Sequence, residues 1–176
     1  MTDLQTRLLR SEELPRLWEI DRREFIESIY RLQDGQLVLE PHHFDVPGWP
    51  PGNQEGELPR LVQALGRGGK AWAVFDGEMV VAGTVVDTQW VGVNRDLVQF
   101  EWLHVSRDYR RRGLARALFE RASEFALQLG AKGMYVSATP SQNTLNFYQR
   151  RGCVLVEPDR ELFEREPEDI HLEWRA

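Results

Sequence analysis

Val98-Gln-Phe-Glu-Trp-Leu-His-Val-Ser-Arg107-Asp-Tyr-Arg-Arg-Arg-Gly113-Leu-Ala115 reads as a strand, a basic turn and the start of a helix, in that order. Val98 to Val105 is apolar on both faces in places, as a central strand covered on both sides should be. Leu114, Ala117, Leu118, Ala122, Phe125, Ala126 and Leu129 then recur at helical spacing, and Gly130 supplies the stop. Where a helix begins, its first N–H groups lack internal partners and its dipole points positive. Gly113 lets a ligand approach the backbone closely, and Ala115 is small enough to do nearly the same. Such a turn suits a pyrophosphate, to which the arginines add charge-assisted hydrogen bonds. It lacks the Gly-Lys-Ser/Thr ending of a nucleotide-triphosphatase loop and the first two glycines of a dinucleotide fingerprint. Taken alone, a solvated basic helix start is the competing reading.

Working outward, β signals flank this segment. Ala71 to Phe75 and Met79 to Val86 are strand-like runs joined around Asp76-Gly77, a favoured hairpin turn. Met134 to Ala138 reads as a strand, and Thr144 to Arg151 as a short helix stopped by Gly152. Cys153 to Val156 and Ile170 to Trp174 read as closing strands, and Thr6 to Leu9 as a short edge strand. Between Ser11, an N-cap oxygen followed by Glu12 and Glu13, and Tyr30, apolar positions 14, 17, 18, 25, 26 and 29 suggest one or two helices. Asp34 to Gly56 breaks up into turn and breaker signals and reads as a long loop, followed by a short helix from Leu58 to Leu65. The expectation is an α/β (α+β) fold: a mixed, mostly antiparallel central sheet of six to seven strands flanked by helices. One domain is expected over 1–176, divided into an N-terminal portion of helices and loop (1–69), a core around the basic turn (70–156) and a closing segment (157–176).

Bulk properties narrow the function classes. The 176 residues carry a formal net charge of −6, unlike a general nucleic-acid binder. Five arginines and one acid between Arg107 and Arg116 give that turn a local balance of +4, leaving −10 for the remainder. A compact basic turn on an acidic body suggests one bound anion, not a polyanion track. The single cysteine, Cys153, makes no internal disulfide and does not suit a structural zinc site. Met1 to Arg10 shows no apolar run fit for a signal peptide, and no stretch approaches the roughly 20 apolar residues of a membrane span. A cytoplasmic protein with no membrane and no nucleic-acid partner is therefore expected.

Arg110-Arg-Arg-Gly113-Leu-Ala115 resembles the Arg/Gln-x-x-Gly-x-Gly/Ala signature of the Gcn5-related N-acetyltransferase (GNAT) superfamily. Leu103-His-Val105 matches the strand leading into that turn. Ser141 to Gly152 resembles the family's next helix, with Tyr148 four residues before the glycine. The agreement covers about half the chain, from Ala71 to Val156. Two departures stand out: Ser141 occupies a position where the family often has Asn, and Cys153 one where it usually has an aromatic residue.

The resemblance implies an enzyme that transfers an acetyl group from acetyl-coenzyme A, a co-substrate, to a primary amine. Leu103, Val105, Arg110, Arg111, Arg112, Gly113, Leu114, Ala115, Asn143 and Tyr148 would contact the coenzyme. The Val105 backbone N–H would face the thioester carbonyl as an oxyanion donor. Tyr148 would be the general acid for the leaving thiolate. Glu101 is the leading general base: a carboxylate in an apolar strand is expensive unless used or paired. It stands four residues before Val105, on the same face by the period of two, with His104 on the other face beside Trp102 and Phe100. His104 or a water relay remains the alternative base. Cys153 reads as a buried core thiol. His42, His43 and Asp45 carry no metal reading, since adjacent strand histidines point apart. The loop from His42 to Pro51, with Phe44 and Trp49, would wall the acceptor site; Asp21, Glu24 and Glu27 read as a solvated helix face. A non-catalytic acyl-coenzyme A sensor of the same fold is the competing function. The acceptor is left open, as is the oligomeric state, paired subunits being common in the family.

Overall fold

The computed structural model describes residues 3–176; Met1 and Thr2, which begin both the proposed domain and the stretch read for a leader, lie outside the described residues. In chain order the elements are β1 (Gln5–Leu8), β2 (Glu24–Gln33), β3 (Gln36–Val46), α1 (Asn53–Gly66), β4 (Lys70–Asp76), β5 (Met79–Val91), β6 (Leu97–Val105), α2 (Leu114–Gln128), β7 (Gly133–Ala138), α3 (Gln142–Arg150), β8 (Val154–Leu155), α4 (Arg160–Arg165) and β9 (Ile170–Arg175). Seven strands form one sheet in the order β1-β4-β5-β6-β7-β9-β8, in which β6–β7 is parallel and the other pairs are antiparallel. The expected mixed α/β sheet is what forms.

Helices cover both faces. Under α2 and α3 lie Phe100, Leu118, Phe119, Met134, Leu145 and Tyr148. On the other face Leu14 and Leu17 of a 3-10 helix (Ser11–Glu19) and Leu61 of α1 pack on Val80, Val85 and Trp102.

The N-terminal third departs from expectation. Helical spacing at Leu14, Leu17 and Trp18 does produce a helix, but it ends at Glu19. Phe25, Ile26 and Ile29, read as its continuation, lie on β2, and the expected loop from Asp34 is β3 followed by α1. The deciding signal is Asp34-Gly35, whose φ angles of 48° and 76° form the two-residue turn of a hairpin. Pro41, read as a breaker, sits opposite Ser28 beside a register slip, where a missing N–H is tolerated. Smaller differences are α4, which no periodicity announced, and β8, two residues long where four were expected.

A second correction concerns β6. Val86 pairs with Phe100 and Val85 with Trp102, so Glu101 is an extra residue in the strand. This β-bulge reverses the alternation. Phe100 points to the α2–α3 face, 5.4 Å from Phe119, while Trp102 points to the α1 face, stacked on Trp49 at 5.7 Å. Leu103 and Val105 return to the face of Phe100. Glu101 therefore does not share a face with Val105, and His104 sits with Trp102 but not with Phe100. The period of two fails because one residue has no partner across the ladder.

Candidate active site

β6 and β7 pair only from Leu97↔Gly133 to Gln99↔Tyr135, yet β6 runs on to Val105 and β7 to Ala138. The two strands separate and leave a crevice in the sheet. The Ser106 N–H donates to Val81 O at 2.8 Å, so Ala82↔Val105 is a non-hydrogen-bonded pair of the antiparallel ladder. The N–H and C=O of Val105 consequently point away from β5, into the crevice. By the same alternation Leu103, opposite Thr84, turns its N–H and C=O the same way.

The basic turn closes one end of this crevice. Arg111 has a left-handed φ of 63°, and Gly113, the N-cap of α2, has φ 83°. Gly113 offers no side-chain cap, so the first N–H groups of α2 (Leu114, Ala115, Arg116) are left open. The first helical bond runs from Ala117 N–H to Gly113 O, at 3.0 Å. Arg111 and Arg112 are exposed, and among the described residues no carboxylate lies within ion-pair distance of either. Arg110 is placed differently. Its guanidinium donates to Val105 O (3.1 Å) and Arg22 O (3.4 Å) and lies 4.0 Å from Glu24, so it ties the turn to the strand.

Across the crevice, Ser141 caps α3: its Oγ accepts from Thr144 N–H at 3.4 Å. Asn143 donates to Glu24 at 3.3 Å. Tyr148 is buried among Phe100, Phe119 and Phe147, and burial first, then Cys153 and Asp169, pushes its phenol well above the ordinary value. Cys153 is buried with its thiol pushed up to about 12, a core thiol as expected.

Glu101 is almost fully enclosed. Its side chain is 3% exposed, 3.5 Å from Arg165 and 3.9 Å from Arg60, and Oε1 receives no hydrogen bond. Burial raises its carboxyl to about 7, against the pull of Arg165 and Arg60. His104 is driven the other way: burial, then the charges of Arg22 and Arg110, lower it to about 3. It is neutral at pH 7 and a feeble proton acceptor. Trp49, expected in a wall, stacks on Trp102 and meets His104 edge-on at 4.9 Å.

A strap spans the crevice mouth. Asp21 N–H donates to Ser106 Oγ (2.9 Å), and Arg107 N–H to Asp21 O (3.0 Å). At its far end Tyr30 N–H donates to Pro140 O and Tyr30 OH to Asn146, each at 2.8 Å. Glu24, read as part of a solvated helix face, lies midway between Arg110 and Asn143. Asp21 is engaged by Arg23 at 2.6 Å, and Glu27 is exposed on β2.

Sequence reading passed over two carboxylates. Glu57 of α1 accepts from Trp102 Nε1 (3.1 Å) and Asn53 Nδ2 (2.9 Å). Asp169 precedes β9 beside the end of β7, and burial, then Glu166, Glu168 and Glu57, raises its carboxyl to about 6. Both belong to acid-rich stretches that look like solvated surface; only the fold shows them facing inward.

A sheet split between its parallel strands, with a glycine-capped basic helix start at the mouth, defines the acetyltransferase fold. The chain belongs to the acetyltransferase (GNAT) family, whose model matches residues 15–153. Among solved structures it is similar to a nourseothricin acetyltransferase (16% identity, TM-score 0.70, covering 98% of both chains). It is also similar to a putative streptothricin acetyltransferase from Bacillus anthracis str. Ames in complex with acetyl coenzyme A (16%, 0.68, covering 99% of this chain and 100% of that one). A third is the PaiA N-acetyltransferase from Thermoplasma acidophilum in complex with coenzyme A (15%, 0.61, covering 99% of each). At these identities the likeness is one of fold. No match was found among curated proteins. No helix among the described residues is long and apolar enough to cross a membrane.

Proposed function

We propose that this chain acts as one catalytic unit in the cytoplasm, transferring an acetyl group from acetyl-coenzyme A to a primary amine by direct attack. The observation that carries the proposal is the Val105 N–H turned into the crevice beside the open start of α2. The pyrophosphate of the coenzyme sits on the N–H groups from Gly113 to Ala115, with Arg111 and Arg112 supplying charge. Arg110, donating to Val105 O, positions this turn; Leu103 pairs its open backbone groups with the pantetheine arm, and Val105 N–H stays free for the thioester.

A lysine-like amine has a pKa roughly three units above neutrality, so removing its proton at pH 7 costs about 4 kcal/mol. Glu101, raised to about 7, takes that proton directly or through water. The amine nitrogen then bonds to the thioester carbon, and the developing oxyanion accepts from Val105 N–H. Collapse breaks the carbon–sulfur bond. Tyr148, kept protonated by burial, donates to the departing thiolate and is recharged from solvent.

A thiol-release assay with acetyl-coenzyme A over a library of amines tests this. Turnover with at least one amine, with mass spectrometry showing an acetamide product, is the expected result. Tight coenzyme binding with no turnover across the library would favour the sensor reading instead.

A further inference from the structure

Glu101 stands in a closed ring of alternating charge. It lies 3.5 Å from Arg165 and 3.9 Å from Arg60, and Glu166 lies 3.7 Å from each of the same two guanidiniums. Both arginines make their closest approach to Oε1 of Glu101, which is buried and receives a hydrogen bond from neither. Elsewhere the chain pairs a carboxylate by direct contact. Arg7 donates to Glu13 at 2.8 Å and Arg10 N–H at 2.9 Å, and together they hold that carboxyl down at about 2. N–H groups spent on a carboxylate occupy the lone pairs that a proton would need. Around Glu101 the charge is supplied and the hydrogen bond is withheld.

Arg165 owes its place to α4, which is fastened at both ends. Asp159 caps the start: Oδ1 accepts from Glu161 N–H (3.1 Å) and Leu162 N–H (3.4 Å), and Oδ2 accepts from Gly92 N–H (3.0 Å). Leu162 is buried beside Leu97 and Tyr135. Asp159 N–H donates to Tyr135 OH at 2.9 Å, and Tyr135 OH donates to His171 Nδ1 at 2.7 Å. His171 Nε2–H in turn donates to the backbone carbonyl of Glu166 at 3.2 Å. A carbonyl only accepts, so His171 carries its proton on Nε2, and burial keeps the ring neutral by lowering its pKa. One chain of hydrogen bonds thus joins the cap of α4 to the residue that follows Arg165.

We propose that Arg165 is a positioning residue for Glu101: its guanidinium balances the carboxylate's charge from 3.5 Å and leaves Oε2, the oxygen less closely approached, to take the acceptor's proton. This rests on the reading of Glu101 as the base. Burial alone would push the Glu101 carboxyl higher still; Arg165, then Arg60, pull it back to about 7, against Glu166 and Asp87 of β5. Asp87 is itself engaged by Arg67 at 3.0 Å.

The test titrates Glu101 itself, by carbon-13 NMR of the glutamate carboxyls of the full chain from pH 5 to 9. Loss of a signal in Glu101→Gln assigns it. In Arg165→Gln the midpoint should rise by at least about half a pH unit, since an opposite charge at this distance is worth about one to three before solvent screens it. Arg165→Met, which keeps the stem without the charge, should give the same rise. Arg165→Lys should reverse at least about half of it. Arg160→Gln, on the same helix but exposed and paired with Glu164 at 3.2 Å, should leave the midpoint within about 0.2 units. Circular dichroism verifies the folding of each variant. A smaller rise in the neutral variants, a rise that Arg165→Lys does not reverse, or an equal rise in Arg160→Gln overturns the proposal. If the midpoint rises while the pH profile of thiol release does not follow it, Glu101 is not the base and its pairing with Arg165 stands.

Discussion

Phe100 and Trp102, two residues apart on β6, point to opposite faces of the sheet because Glu101 between them has no partner on β5. The bulge carries the Glu101 carboxylate to the α1 side, while Leu103 and Val105 keep the α2–α3 side. An insertion of one residue thus separates the proposed proton acceptor from the side chains that pack on the α2 side of the sheet.

Glu101→Gln should lower kcat/KM by about 10²- to 10⁴-fold. The wild-type pH profile should rise through an arm near 7, where the Glu101 carboxyl titrates, and through a second arm set by the acceptor amine. In the variant the first arm should vanish and the second remain. Stopped-rate thiol release from pH 5.5 to 9.5 reads both; an unchanged arm near 7 would remove Glu101 from the mechanism.

The same group should shape stability. Its folded pKa is raised, so between about 4.3 and 7 the native state holds a proton that the unfolded chain has released. Stability from this group is present below that window and lost as pH rises through 7. Wild type should therefore lose about 2–3 kcal/mol relative to Glu101→Gln between pH 4.5 and 8. Urea melts of the pair at four pH values measure it, and a difference independent of pH contradicts it.

Tyr148→Phe removes only a hydroxyl from a ring packed on Phe100 and Phe119. Coenzyme affinity and melting temperature should change little, while kcat falls about 10²-fold or more. Single-turnover kinetics separates loss in the chemical step from loss in product release.

Gly113→Ala should act on both folding and binding. A side chain at φ 83° costs about 1 kcal/mol, although nothing lies within 4 Å of the added carbon. The larger effect should be on the coenzyme, since the new methyl group occupies the approach to the α2 start. We expect at least tenfold weaker coenzyme A binding, against a loss of only a few degrees in Tm.

Tyr30→Phe removes the hydroxyl that donates to Asn146, one of two side-chain hydrogen bonds that tie the strap to α3 among the described residues. It should cost about 0.5–1.5 kcal/mol and make the β2–β3 hairpin the first site of limited proteolysis. Peptide mapping after a short protease exposure locates the first cut; cleavage elsewhere would show that the tie does not hold the strap.

Local chemistry determined much of this protein in advance. The order of strand, basic turn and helix from Val98 onward, the Asp76-Gly77 hairpin, the helix of Leu118 and Phe125, and the buried Cys153 all follow from spacing and side-chain type, which act within a few residues. The hairpin of β2 and β3 was readable too, at Asp34-Gly35, but apolar positions 25, 26 and 29 fit a helix as well as a strand. Packing of Tyr30 and Leu37 against the main core chose between them. What lay beyond the sequence depends on long-range register. A bulge at Glu101 is invisible until β5 pairs with β6, and the open N–H of Val105 exists only because β7 leaves the ladder after Tyr135. Glu57 and Asp169 are ordinary surface acids in the chain, 112 positions apart. They face one crevice because the sheet brings α1 and the start of β9 together, and side-chain charge acts across space regardless of its distance along the chain. The basic turn between Arg107 and Gly113 is therefore legible in the sequence alone, and its neighbours across the crevice are decided by the tertiary structure.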